Sequence, residues 1–204
     1  MNMKKILSAT LAAMQVFAVP VLLALAFPVS AGPGERNFVV TEKVYPLPDV
    51  TLVDSAGEPV RFSEITGDAK RTIVSFIFTS CAGICPMITS NMARAVPKLD
   101  EMDDDYQILL ISVDPEFDTP ARLTAYAERF KTGPKIRFLT GDGDKVFRVV
   151  RSFEALYEGS NKMNHQPVTL ISRGRPGRWT RIDGLIGSEV LVQQYRKLID
   201  RQTG

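Results

Sequence analysis

Two cysteines, Cys81 and Cys85, stand four positions apart in "FTSCAGICPM", and they are the only thiols in the chain. A run of β-branched and aromatic residues precedes them and a helix-like segment follows. Three chemistries fit such a pair: a structural disulfide, a thiol–disulfide switch, or half of a soft metal site. Pro86 suits the first position of a helix, where a missing N–H costs nothing. That makes Cys85 the cap residue, with its sulfur beside the unpaired amides and the positive end of the helix dipole. A partly buried site of this kind is worth up to about 2 kcal/mol to an anion. At about 1.36 kcal/mol per pKa unit, that makes thiolate abundant near neutrality. Gly83 lets the intervening loop bend so that the sulfurs can face one another, bonded or sharing a third object.

The three-residue spacing is one longer than that of thioredoxin-type oxidoreductases and leaves room for a metal between the sulfurs. Two sulfurs alone make a poor site, so this reading needs another ligand. His165, in "NKMNHQPVTLI", is the only histidine in the chain. If the strand after it lies antiparallel and adjacent to the cysteine-bearing strand, imidazole and thiolates share one end of the sheet. Two thiolates and an imidazole form a soft three-coordinate set suited to copper. A structural zinc site wants a fourth firm ligand, and none is evident. Cu(I) tolerates three ligands, and Cu(II) could add an oxygen. Met87 and Met163 flank the two loops as candidate axial sulfurs, against their plainer roles as core filler and loop residue. A loop histidine taken alone is more often a surface residue than a ligand; the joint presence of all three soft donors is what carries the metal reading.

The elements that must position these groups alternate along the chain. Residues 38–48 read as an extended, proline-punctuated lead-in, and 50–62 as a β-hairpin around Ala56-Gly57. Near-continuous apolar runs at 72–79 and 106–114 read as strands covered on both faces, and 135–141 as a third, shorter strand. Helical spacing appears at 86–102, where Met87, Ile88, Met92, Val96 and Leu99 share a stripe and Pro97 should kink or break the helix. Further helices are expected at 119–130, with Thr119 as cap and Pro120 in the first turn, at 144–159, and at 188–200. Two strands about an Arg-Gly-Arg-Pro-Gly turn fill 167–184. This pattern predicts an α/β fold, a central mixed sheet flanked by helices with an N-terminal hairpin. Right-handed crossovers then put the Cys81–Cys85 loop at the carboxyl end of its strand, where open α/β sheets keep their sites.

The first 31 residues stand apart. "MNMKK" is followed by an apolar run from Ile6 to Phe27 and by the small residues Val29, Ser30 and Ala31. They read either as a signal peptide cleaved after Ala31 or as a membrane anchor, since the run approaches the roughly 20 residues that span a bilayer. Both readings export the remainder to a periplasmic compartment, soluble in one case and attached to the inner membrane in the other. The domain organisation expected is therefore 1–31 leader, 32–48 lead-in and 49–204 domain. The net charge of +2 falls to 0 once Lys4 and Lys5 are removed, because residues 1–31 hold no acidic residue. A neutral domain without a basic stripe has no electrostatic footprint for nucleic acid.

The chain resembles the SCO/SenC family of copper-binding cytochrome c oxidase assembly factors. "TSCAGICPM" is similar to that family's CxxxCP motif, "LISVDPEFDTPARLTAYAERF" to its second motif, and the histidine of "NHQPVTLISRGRPGRWTRIDG" falls where the family keeps its copper-binding histidine. The likeness runs from about Val50 to the final helix. It implies a thioredoxin-like fold and carries the metal-ligand role to Cys81, Cys85 and His165. Asp114 and Asp118 match acidic positions of the second motif and are implied near the copper site or partner surface, against plainer roles at a strand-ending turn and a helix cap. One departure is Gln166-Pro167, where the family usually has Ser or Thr. A proline entering that strand resembles the one facing the thiols of thioredoxin-like redox proteins.

Two functions follow from the resemblance and the residues together. One is a copper chaperone, loaded by a copper donor protein, that delivers copper to the binuclear centre of an oxidase subunit. The other is a thiol–disulfide reductase that keeps the acceptor's cysteines reduced, with Cys81 and Cys85 as its catalytic pair and His165 dispensable. A peroxiredoxin-like peroxidase is disfavoured, because Ala82 stands where the threonine before a peroxidatic Cys85 is expected.

Overall fold

The computed structural model describes residues 38–66, 71–156, 167–172 and 178–201. In chain order its strands are β1 (Val39–Val44), β2 (Thr51–Asp54), β3 (Pro59–Arg61), β4 (Arg71–Ile77), β5 (Tyr106–Ser112), β6 (Ile136–Thr140), β7 (Val168–Ser172) and β8 (Arg178–Asp183). Its helices are α1 (Phe62–Ile65), α2 (Ile84–Asp100), α3 (Pro120–Phe130), α4 (Gly143–Ser152) and α5 (Ser188–Asp200). The strands form one mixed sheet in the order β1-β8-β7-β4-β5-β6-β2-β3. The β4–β5 and β5–β6 pairs are parallel and all others antiparallel.

The central strands are where apolar runs are longest, because side chains there are covered on both faces. Every residue of β4 after Arg71 is buried, as is every residue of β7. Two crossovers in the same direction, β4-α2-β5 and β5-α3-β6, put α2 and α3 on one face of the sheet, and α5 packs along α2. A second cluster is aromatic: Phe153, just past α4, meets Tyr45, Phe62 and Trp179 edge-on at centroid separations of 5.2, 6.1 and 5.0 Å.

Three elements differ from the sequence expectation. Residues 39–44, expected as lead-in, form an edge strand paired along its full length with β8. All six side chains are exposed, so no hydrophobic alternation marks it. Pro97 neither breaks α2 nor ends it; the helix continues to Asp100, and the Pro97 carbonyl still accepts from Glu101 N at 3.3 Å. A proline in the last turn costs only one ladder bond. The helix expected to run to Gly159 stops at Ser152. Phe153 turns into the aromatic cluster and Glu154 takes a left-handed φ of 51°. The turn is fixed by the buried Arg181 guanidinium, which donates to the carbonyls of Phe153 (2.5 Å) and Glu154 (3.3 Å) and to the Tyr45 hydroxyl (3.2 Å). It also pairs with Asp183 at 2.8 Å. The hairpin at 51–61, the capped start of α3 and the bounds of α5 agree with expectation.

Arg181 thus serves two carbonyls and a tyrosine hydroxyl at once. Arg181→Met should lower unfolding free energy by about 2–4 kcal/mol, seen as an earlier urea midpoint with unchanged slope.

Candidate metal and redox centre

β4 delivers the cysteines. Beyond Ile77 the chain makes a turn closed by Cys81 N donating to the Phe78 carbonyl at 3.2 Å, and α2 starts three residues later. The helix N-cap is Gly83, which offers no side-chain acceptor. Ile84, Cys85 and Pro86 then occupy the first turn, where proline's missing N–H costs nothing at any of these positions. The amides of Gly83, Ile84 and Cys85 instead favour the ionised form of the Cys81 sulfur. The expectation that Cys85 caps the helix is therefore corrected. Cys81, reaching back across the first turn, holds the anion position, and Cys85 lies one step inside the helix.

This exchange sorts the two thiols. Both are free, but Cys81 is partly exposed whereas Cys85 is 0% exposed. Burial opposes ionisation of Cys81, yet the surrounding amides and a hydrogen bond from the Cys85 thiol outweigh it and hold its pKa below the ordinary thiol value. Burial pushes the Cys85 thiol up to about 12; the Phe78 amide works against this, and the neighbouring Cys81 and Asp118 charges add to it. One sulfur is thus the more accessible and the more readily ionised, and the other is buried and holds its proton.

Asp118 ties the second motif to this loop. It is fully buried and accepts from Thr79 N (3.0 Å), Thr79 Oγ1 (2.5 Å) and Ser112 Oγ (2.6 Å). Its place is beneath the cysteine turn, not on a partner surface, and it is not the helix cap either, since Thr119 fills that position. Asp114 is also buried. Its carbonyl accepts from Phe117 N (3.0 Å) and Asp118 N (2.8 Å), closing the turn that carries Asp118 inward. Thr79 and Ser112 had no sequence signal: isolated hydroxyl residues without a characteristic spacing reveal nothing until the strands pair.

His165, Met163 and Gln166 lie outside the described residues, and so does the Gln166–Pro167 peptide bond. The strand they lead into does not. β7 runs antiparallel to β4 with Ser75 opposite Thr169. Ser75 Oγ donates to the Val168 carbonyl at 2.8 Å, and Gly184 N donates to the Pro167 carbonyl at 2.8 Å. The entry to β7 is therefore at the carboxyl end of β4, the end that carries the cysteine loop. Among the described residues no third His, Cys, Asp or Glu joins the two thiols in a metal-holding group. Met87, expected as core filler, is 51% exposed beside the loop. Residues 1–31, expected as a leader, lie outside the described residues, among which no helix is long and apolar enough to cross a membrane.

The SCO1/SenC family model matches residues 45–200, and the chain belongs to that family. An SCO2-like protein of Rickettsia felis is 31% identical over 150 residues, covering 74% of this chain and 71% of that protein. Among solved structures, Arabidopsis thaliana ScoI with copper bound superposes with a TM-score of 0.62 at 26% identity, covering 74% of this chain and 96% of that one. BsSco, a member of the Sco family of cytochrome c oxidase assembly proteins with a disulfide switch, does so with 0.63 at 24%, covering 76% and 94%. The mixed sheet flanked by helices is thus the thioredoxin-like fold that the resemblance implied.

The asymmetry of the sulfurs has a direct readout. Iodoacetamide should label Cys81 first, with a rate that rises through a pKa below 9, while Cys85 stays unlabelled in the folded protein until pH nears 12. Mass analysis of digests across a pH series checks this, and equal labelling at pH 8 would contradict it. Asp118→Asn should cost about 2–3 kcal/mol, because one amide oxygen cannot serve three donors. The substitution should also raise Cys85 labelling.

Proposed function

We propose that this chain is an exported copper-binding protein that holds one copper through Cys81, Cys85 and His165 and passes it to the binuclear copper centre of cytochrome c oxidase. The observation that carries the reading is the antiparallel entry of β7 at the cysteine end of β4. His165 is two residues before Pro167, so its Cα is tethered within about 7 Å of the Pro167 Cα. The donors match the cargo: thiolates favour Cu(I), and imidazole accepts either copper state. Membership of the SCO1/SenC family and the copper bound by Arabidopsis ScoI support the same assignment.

Delivery would proceed by ligand exchange. Cys81, the more accessible and more readily ionised of the two, is the sulfur that incoming copper meets, arriving from a donor protein. Cys85 must release its proton to bind, so loading frees a proton to solvent. On delivery, thiolates of the accepting oxidase subunit displace these sulfurs one at a time. Residues 1–31 would place the domain in the periplasm, as a cleaved signal or an inner-membrane tether.

The split between the thiols also favours a second reading, disulfide reduction. The Cys81 thiolate would attack an acceptor disulfide, and Cys85 would then displace the mixed disulfide as it loses its proton. The acceptor gains two electrons and two protons as the Cys81–Cys85 bond forms.

Copper titration separates the two readings. Cu(II) added to reduced protein should produce intense thiolate-to-copper charge-transfer absorption at a stoichiometry of one. His165→Ala should weaken copper binding by at least about a hundredfold and leave the dithiol's reduction potential nearly unchanged. Copper binding as tight as the parent's would refute the three-ligand site, and colourless oxidation by Cu(II) would favour the reductase.

A further inference from the structure

α3 carries a tyrosine whose hydroxyl the proposed chemistry does not use. Tyr126 is buried, its ring packed against Phe130 and Phe138 at centroid distances of 4.7 and 5.9 Å. Phenylalanine would satisfy those ring contacts. A buried phenol O–H requires a partner, and its partner is Thr89 Oγ1 at 3.3 Å. Thr89 is fully buried, and its hydroxyl lies 3.0 Å from the carbonyl of Cys85. Thr89's hydroxyl is thus placed to donate to either neighbour, the Cys85 carbonyl or the Tyr126 hydroxyl. The outcome is a two-step relay from α3 into the turn of α2 that bears the inner sulfur. The Cys85 carbonyl is also the acceptor that the helix ladder assigns to Thr89 N. A threonine hydroxyl added to that acceptor alters the local turn of a helix.

We infer that Tyr126 is a positioning residue for the thiol pair: through Thr89 it fixes the Cys85 carbonyl, and with it the direction in which the Cys85 sulfur faces Cys81. Asp118 secures the residues before Cys81, and Tyr126 secures the turn at Cys85. The β5–α3 unit thus holds the cysteine segment at both ends. As it bears on copper, this role rests on the function proposed above; as it bears on the dithiol, it stands alone.

The test equilibrates the full chain in dithiothreitol redox buffers and measures the fraction holding a Cys81–Cys85 disulfide. Two electrons and two protons pass to oxidised dithiothreitol as that bond forms. Tyr126→Phe and Thr89→Val should each shift the dithiol–disulfide equilibrium constant by about two- to tenfold, the factor one hydrogen bond supplies. The double variant should move it no further than Thr89→Val alone, and Thr89→Ser should restore the parental value. Tyr195→Phe is the structural control. It removes a buried hydroxyl bonded to Asp103, just past the C-terminal end of α2 and so at the far end of that helix from the thiols, and should lower stability without moving the constant. An unmoved constant in Tyr126→Phe and Thr89→Val, or an equal shift in Tyr195→Phe, would overturn the inference. The same variants should shift the Cu(II) charge-transfer maximum. Parent protein that binds no copper, with the dithiol shifts intact, would remove the copper function and leave the positioning role standing.

Discussion

Antiparallel pairing between β4 and β7 governs where chemistry can gather in this chain. Each step along β4 toward Cys81 is a step back along β7 toward Pro167, so β7 is entered at the end of the sheet where β4 leads into the cysteine turn. A parallel arrangement would have separated that entry from the turn by the length of a strand. The pairing is reinforced by side chains as well as ladder bonds. Ser75 donates to the Val168 carbonyl at 2.8 Å, and Ser172 accepts from Thr72 N at 2.8 Å. These buried serines sit in strands made mostly of aliphatic and aromatic residues. Their hydrogen bonds oppose a register slip, which would leave both hydroxyls unsatisfied.

On that frame the α2 N-terminus divides labour between two identical side chains. A glycine N-cap offers the amides at the helix start no side-chain acceptor, and those amides favour an ionised Cys81 sulfur. Cys85, one turn element further, is shut away and keeps its proton. The same arrangement serves both proposed chemistries, since the more readily ionised sulfur is the one a metal would meet and the one that would attack a disulfide. Ligation by His165 would therefore decide the function more than the thiols do.

The sequence made much of this legible where patterns were local. Near-continuous apolar runs located β4 and β5, and Thr119-Pro120 located the start of α3. The CxxxC pair and the single histidine were visible as donors because soft ligands are so scarce in the chain. Non-local features stayed hidden. β1 carries no core-facing alternation, and its strand character comes entirely from pairing with β8. Pro86 is compatible with several first-turn positions, so it could not show which cysteine caps the helix. Thr79, Thr89, Ser112 and Tyr126 are ordinary residues whose roles appear only when β5 and α3 close on the cysteine segment. The early end of α4 depends on Arg181, which is distant in sequence and meets Phe153 only in the folded sheet.

X-ray absorption at the copper edge of protein loaded with one equivalent of copper tests the central claim most directly. The account predicts one copper bound by two sulfurs and one imidazole nitrogen. A spectrum with sulfur scatterers alone, or with only nitrogen and oxygen neighbours, would contradict it.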